Sequence, residues 1–423
     1  MMSLPNAQNI TREVLDNGIV VLVYENFAAE SVVISGSLGA GSLYEDANKS
    51  GLAALTANSL MRGTHTRDFQ TIATQLEDIG ADLDVSAGVH RAGFGGKALA
   101  EDLPLLIDLL ADVLRYPAFP TAPVERLRGE TITGLQIRSQ DTRYRARRAF
   151  HQHLYPQTHP YYYSVSGSLD TVPSITIDEL KAFHAAHYGP DMMVIGIVGA
   201  VHTRDAIERV RAAFEDWHDP YQPNRRTLPD VEPPREIRRA FVPLAGKTQS
   251  DIVIGSFGPS RYEPDYQAAL LVNCVLGQFG MSGRIGEKVR EELGLAYYAY
   301  SSLDGGMGPT PWRAIAGVNP ANMQLAIERI VDEIKRITDE PVSDEDLANV
   351  QSFFVGRLPL QLESNEGIAG TILNMELYDL GLDYLLSYRD RIYGLSREDL
   401  LQAARRYLNP DAYVLSISGP EMN

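Results

Sequence analysis

Cysteine is nearly missing from this chain: Cys274 is the single one among 423 residues. One thiol allows no intramolecular disulfide, and its place in the apolar run AALLVNCVLG reads as a small buried hydrophobe. Basic charge is also scarce. Against 55 Asp and Glu stand 38 Lys and Arg, a net charge of −17, and such a balance argues against a nucleic-acid partner, which needs a clustered basic face. Long apolar runs are absent too. The longest, MMVIGIVGAV (192–201), is too short to span a bilayer, and the N-terminal stretch has no basic patch followed by an apolar segment. The expectation is a cytoplasmic protein with no membrane attachment.

Several catalytic signatures are lacking. The glycine-rich stretch GQFGMSGRIGEK (277–288) has no GK[ST] and no dinucleotide fingerprint before it, so it does not read as a phosphate cradle. No GxSxG occurs, and Cys274 has no polar neighbour in sequence. The nine histidines include two close pairs. His184 and His187 stand three apart on an expected helix, yet no Glu or third His follows at a helical interval to complete a metal site. His151 and His153 would point to opposite faces of a strand and are not neighbours on a helix, so they make poor joint ligands.

The length is too great for one core and calls for two domains or more. Between His218 and Ile237 lie five prolines, which cannot continue a helix or a central strand and favour a stiff spacer. The halves on either side repeat each other. TIDELKAFHAAHYGPDMMVIGIVG (176–199) and SREDLLQAARRYLNPDAYVLSISG (396–419) align without a gap: an N-cap Thr or Ser, an acid three residues on, an amphipathic helix, Pro-Asp, and a β-branched strand ending in Gly. GIVVLVYEN (18–26), SVVISGSLG (31–39) and SDIVIGSFG (250–258) read as further strands. FQTIATQLED should form a helix closed at Gly80, and EDLPLLIDLLADVLRYPAF one that stops before Pro117. The predicted fold is α+β: two homologous halves, each a mainly antiparallel sheet covered by helices on one face. The expected boundaries are a first domain at 1–218, a linker at 219–237 and a second domain at 238–423.

SGLAALTANSLMRGT (50–64) opens like a helix and closes on a turn signal, but carries no side chain suited to acid–base work or metal binding. REELGLAYYAYSSLDGG (290–306) is different. There a charged helix end passes through Gly294 into an aromatic strand, so that the Arg290 fork and the Tyr297 hydroxyl could converge across the bend on one acceptor such as a peptide carbonyl. The plain alternative is an Arg on a solvated helix face and a Tyr in an alternating strand.

Over nearly its whole length the chain resembles the pitrilysin/insulinase-like zinc metallopeptidases, the inverzincins, in their bacterial and processing-peptidase-like branch. Three stretches carry the likeness: SGLAALTANSLMRGT, where members read HxxEH on a helix before a Gly-Thr; HPYYYSVSGSLDTVPSITIDELKAFHAAHYGPDMMVIGIVG; and GMSGRIGEKVREELGLAYYAYSS. The resemblance implies that Ala54 and Asn58 stand where the two zinc-binding histidines would be and Ala57 where the catalytic glutamate would be. The family's third ligand, a Glu, would fall near Thr133, Gly134 or Leu135, with Glu130 the nearest carboxylate. No zinc is then expected in this chain, and zinc would belong to a homologous HxxEH-bearing partner subunit. Arg290 and Tyr297 match the family's Arg/Tyr pair, which touches substrate. The implied function is a proteolytically inactive, substrate-binding subunit of a heterodimeric zinc endopeptidase acting on peptides. Its competitors are a structural or peptide-binding core-type subunit with no part in hydrolysis, and an autonomous hydrolase with another metal site. The acidic net charge would favour basic peptides.

Overall fold

The computed structural model describes residues 4–218, 226–279 and 283–421. Residues 219–225 of the expected linker and residues 280–282 of the glycine-rich stretch lie outside the described residues.

Two sheets organise the chain. The first contains β1 (Ile10–Val14), β2 (Val20–Glu25), β3 (Ser31–Leu38), β4 (Asp82–Ala87), β5 (Ala92–Leu99) and β6 (Val194–Gly199), in the order β1-β2-β6-β3-β5-β4. The second contains β7 (Arg238–Pro243), β8 (Ser250–Phe257), β9 (Ala296–Leu303), β10 (Pro311–Val318) and β11 (Val414–Gly419), in the order β7-β11-β8-β10-β9. Without β1 the two orders are the same. In both, the strand that ends the repeated segment inserts between the first two, parallel to one and antiparallel to the other. The remaining pairs are antiparallel, so the mainly antiparallel prediction holds for each sheet.

The repeat has a local cause. Thr176 accepts a hydrogen bond from the Glu179 N–H at 3.2 Å while the Glu179 carboxylate accepts from the Thr176 N–H at 2.8 Å. Ser396 and Asp399 reproduce both bonds at 3.2 and 2.8 Å. These reciprocal caps start the helices Ile177–His187 and Arg397–Tyr407 at the predicted residues. Each helix then delivers a strand that is buried throughout.

That burial corrects the expectation of sheets covered on one face. Val194 and Val198 of β6 join Leu22, Tyr24 and Val33 in a core cluster with Ile368, Ala369, Ile372 and Met375, residues of the helix Asn365–Leu377. Strands with apolar residues on both faces need a cover on each. The helices Leu103–Arg115 and Thr203–Phe214 lie along β5 and β2, whereas Asn365–Leu377 lies along β6 and β3. Arg12 on β1 holds this helix by a two-pronged ion pair to Glu376, at 2.8 and 2.9 Å. In the second sheet the helix Thr142–Leu154 runs against β11, β8 and β7.

Each sheet therefore takes a covering helix from the opposite half of the sequence. The compact units fall within Met1–Gly134, Ser164–Thr227 and Leu358–Tyr388 for the first and Leu135–Tyr163, Leu228–Arg357 and Arg389–Asn423 for the second. The contiguous boundaries 1–218 and 238–423 describe the sheets but not these units. A linker signal reports where the chain changes sheets; it carries no information about long-range helix packing.

The glycine ending each repeated strand gives a graded test. A Cβ on Gly199, at φ 151°, would lie 2.3 Å from the Ser31 carbonyl oxygen and 2.6 Å from the Val32 Cα, whereas one on Gly419 would meet the movable Ser250 hydroxyl at 2.2 Å and the Ser250 Cβ and Cα less closely, at 2.9 and 3.0 Å. Gly199→Ala should cost about 3 kcal/mol and Gly419→Ala about 1 kcal/mol, read from urea denaturation midpoints. Equal costs would show that the backbone contact at Gly199 is not the constraint.

Candidate functional site

The helix Leu52–Leu60 starts at Gly51, at φ 100°, with no side-chain cap of its own. Glu45 supplies the missing acceptor, taking the Gly51 N–H at 3.1 Å and the Ala53 N–H at 2.5 Å. Burial pushes this carboxyl up from 4.5 to about 8, against the opposing pull of the two N–H donors. Sequence reading missed Glu45. Its one signal is an acid shortly before an uncapped helix.

Within that helix Ala57 is fully buried, Ala54 half-buried and Asn58 exposed. Two methyls and one exposed amide do not fit zinc, which takes imidazole, thiolate or carboxylate. Glu130 is exposed on the helix Thr121–Ser139 and engaged with Arg126 at 3.1 Å and Arg62 at 4.0 Å. Thr133 and Gly134 carry no ligand, and Leu135 is buried. Among the described residues no group of three or more His, Cys, Asp and Glu is arranged to hold a metal ion.

The histidine pairs are otherwise employed. His184 donates from Nε2 to the Leu114 carbonyl at 2.8 Å, and His187 stacks on Tyr44 with ring centres 4.8 Å apart. Burial lowers both to about 4. His151 and His153 lie on the helix Thr142–Leu154 and not on a strand. His153 donates to the Ala149 carbonyl at 2.8 Å. His151 accepts from Arg313 at 3.2 Å and is held near 3 by burial and by the charges of Arg313 and Arg148.

Arg290 lies in the π-helical turn Gly286–Glu292, a wound form frequent at functional positions. Gly294, at φ 58°, then reverses the chain as expected, and the Leu295 N–H returns to the Val289 carbonyl at 2.9 Å. The pairing of β9 with β10 slips here: Gly317 opposes Tyr298 and Val318 opposes Ala296. Tyr297 is thereby left on a bulge of the edge strand, 81% exposed. Arg290 is exposed and pairs with the neighbouring Glu291 at 3.5 Å. Among the described residues, no hydrogen bond or cation–π contact joins the two side chains. A cavity of about 410 Å³ is lined by Arg290, Gln278, Tyr298 and Tyr300, while Tyr297 stands outside it. Both groups are exposed on the same bend, Tyr297 on the bulge and Arg290 with its Nε turned to Glu291.

Comparison with known proteins agrees with the likeness read from the motifs. The family described as Insulinase (Peptidase family M16) matches residues 20–161, and the Peptidase M16 inactive domain matches residues 174–353. An uncharacterized zinc protease of Streptomyces coelicolor is 26% identical over 85% of this chain and 79% of its own length. Mitochondrial-processing peptidase subunit beta of Saccharomyces cerevisiae is 24% identical over 87% of this chain and 80% of its own. A solved structure titled as the peptidase M16 inactive domain of Pseudomonas fluorescens superposes with a TM-score of 0.89 at 26% identity, covering 98% of both chains.

Two predictions follow from the helix Leu52–Leu60. After dialysis the protein should carry well under one zinc per chain by metal analysis; one equivalent lost on substituting His184 and His187 together would overturn this. Ala54→His, Ala57→Glu and Asn58→His combined should bind zinc weakly and also lower stability, since Ala57 has no exposed surface.

Glu45 gives a third. Its raised pKa means that its favourable contribution is full below about 4.5 and is lost as pH rises through about 8. Denaturation curves should therefore show wild type losing stability relative to Glu45→Gln between those limits. A pH-independent difference would mean the carboxyl titrates normally.

Proposed function

Because the chain belongs to the insulinase family of peptidases, M16, we propose that it is the proteolytically inactive, substrate-binding subunit of a cytoplasmic heterodimeric zinc endopeptidase, paired with a homologous HxxEH-bearing subunit. One contrast carries this reading: the positions that the resemblance gives to the zinc ligands and general base hold Ala54, Ala57 and Asn58, while Arg290 lines a cavity and Tyr297 stands exposed on the nearby bulge. The Arg290 guanidinium offers a planar fork to a peptide carbonyl, and the Tyr297 phenol a single donor on a bulge. Neither moves a proton in this scheme. Both hold backbone carbonyls of an extended peptide so that the scissile bond lies at the partner's metal. The kinship with processing peptidase subunit beta supports a paired assembly. Among the described residues no helix is long and apolar enough to cross a membrane.

The ion pair of Arg290 with Glu291 favours one competitor, a structural subunit in which that arginine only packs. Kinetics on the mixed complex separate the two. Arg290→Ala and Tyr297→Phe should still assemble with the partner, yet each should lower turnover on the order of 10²-fold if its group touches the reacting carbonyl, or raise KM if it only positions the peptide. Arg290→Lys should fail largely, because a point charge does not reproduce the fork. Wild-type rates in variants that assemble normally would leave the structural reading in the lead.

A further inference from the structure

The helix Thr142–Leu154 reads TRYRARRAFHQHL and carries Arg143, Arg145, Arg147 and Arg148. In a chain with a net charge of −17, carboxylates are plentiful. Yet among the described residues none of these four arginines forms an ion pair with one. Arg143 and Arg147 are both exposed and stand four residues apart, on one helix face, where like charges repel. Such a spacing is destabilising for the helix by itself. The charge of the buried Asp251 reaches Arg143 without pairing with it, and the two exposed guanidiniums stay open to an anion from outside the chain.

The surroundings form a prepared seat. Asp251, 1% exposed on β8, accepts from the Thr142 hydroxyl at 2.5 Å and from the Tyr298 hydroxyl, so one carboxylate fixes both the helix start and the strand β9. Arg143 then lies over the Tyr298 ring at 4.6 Å and the Tyr300 ring at 5.6 Å, its planar cation stacked on aromatic faces. It also donates to the Tyr300 hydroxyl, which keeps its own proton for another acceptor. Beneath, Arg313 is held by Asp304 at 2.6 and 2.8 Å. Its side chain is 6% exposed and its Nε has no partner. Arg147 is close enough for its charge to act on both Arg313 and His151.

We propose that Arg143, Arg147 and the Tyr300 hydroxyl form a subsite for a carboxylate-bearing segment of a peptide. This rests on the substrate-binding reading above and adds a preference to it, opposite in sign to what the net charge implies. Paired guanidinium forks match carboxylate geometry, and stacking on Tyr298 and Tyr300 lowers the entropy lost on binding.

The test uses the purified full-length chain and three fluorescein-labelled peptides of one sequence, with a cluster of Glu, Gln or Lys, followed by anisotropy. The Glu peptide should bind about tenfold more tightly than the Gln peptide, with the preference shrinking as salt is raised. Arg147→Gln, at an exposed residue with no ion pair, should fold normally by circular dichroism and lose part of the preference. Arg143→Gln combined with Arg147→Gln should abolish it. Equal binding of Glu and Gln peptides to the wild type would overturn the subsite while leaving peptide binding intact. Binding of neither peptide, in a chain that still supports Arg290-dependent cleavage with its partner, would overturn the subsite alone. A single-stranded oligonucleotide that binds as tightly as the Glu peptide and is lost with the same substitutions would replace the peptide by a nucleic acid, and overturn the proposal.

Discussion

Both sheets are built around a central strand that has no exposed residue, β6 in one and β11 in the other. A strand buried on both faces is stable only when both faces are covered, and the helices between consecutive strands supply one cover. The second comes from far along the chain. Asn365–Leu377 closes over β6 and β3, and Thr142–Leu154 over β11 and β8. Most other features of the molecule follow from this exchange: the units interleave in sequence, and the covering helix of the second sheet brings its arginines to the tyrosines of β9.

The same dependence on packing explains how the helix Leu52–Leu60 is held in place without acid–base or metal-binding side chains. Leu52–Leu60 is held by Glu45 at its start, by hydroxyls of Thr56 and Ser59 that bond back to Leu52 and Leu55, and by buried Ala53, Leu55, Ala57 and Leu60. None of these contacts needs a metal. Ala57 is fully buried without bringing a charge inside, so the element stands as part of a core.

Charge shows the limit of summed quantities. A net charge of −17 points away from anionic ligands, yet the field at a given surface depends on which residues the fold assembles there. Four arginines on one helix, with aromatic rings beneath two of them, give a local sign opposite to the total.

Much was legible from local chemistry. The capping pairs Thr176/Glu179 and Ser396/Asp399, the strands ending at Gly199 and Gly419 and the turn at Gly294 all concern residues near one another in sequence, where hydrogen-bonding and steric rules act directly. What tertiary structure alone decided involves partners more than 100 residues apart: Asp251 joining Thr142, Arg143 over Tyr298 and Tyr300, and the core cluster that takes Ile372 to Val194. The bulge that exposes Tyr297 arises at shorter range, where Ala296 and Tyr298 oppose Val318 and Gly317, but it too exists only in the pairing of β9 with β10. Local interactions specify an element from its own side chains; which elements then meet is set by the burial of complementary faces, and any apolar face can satisfy that demand from any distance along the chain.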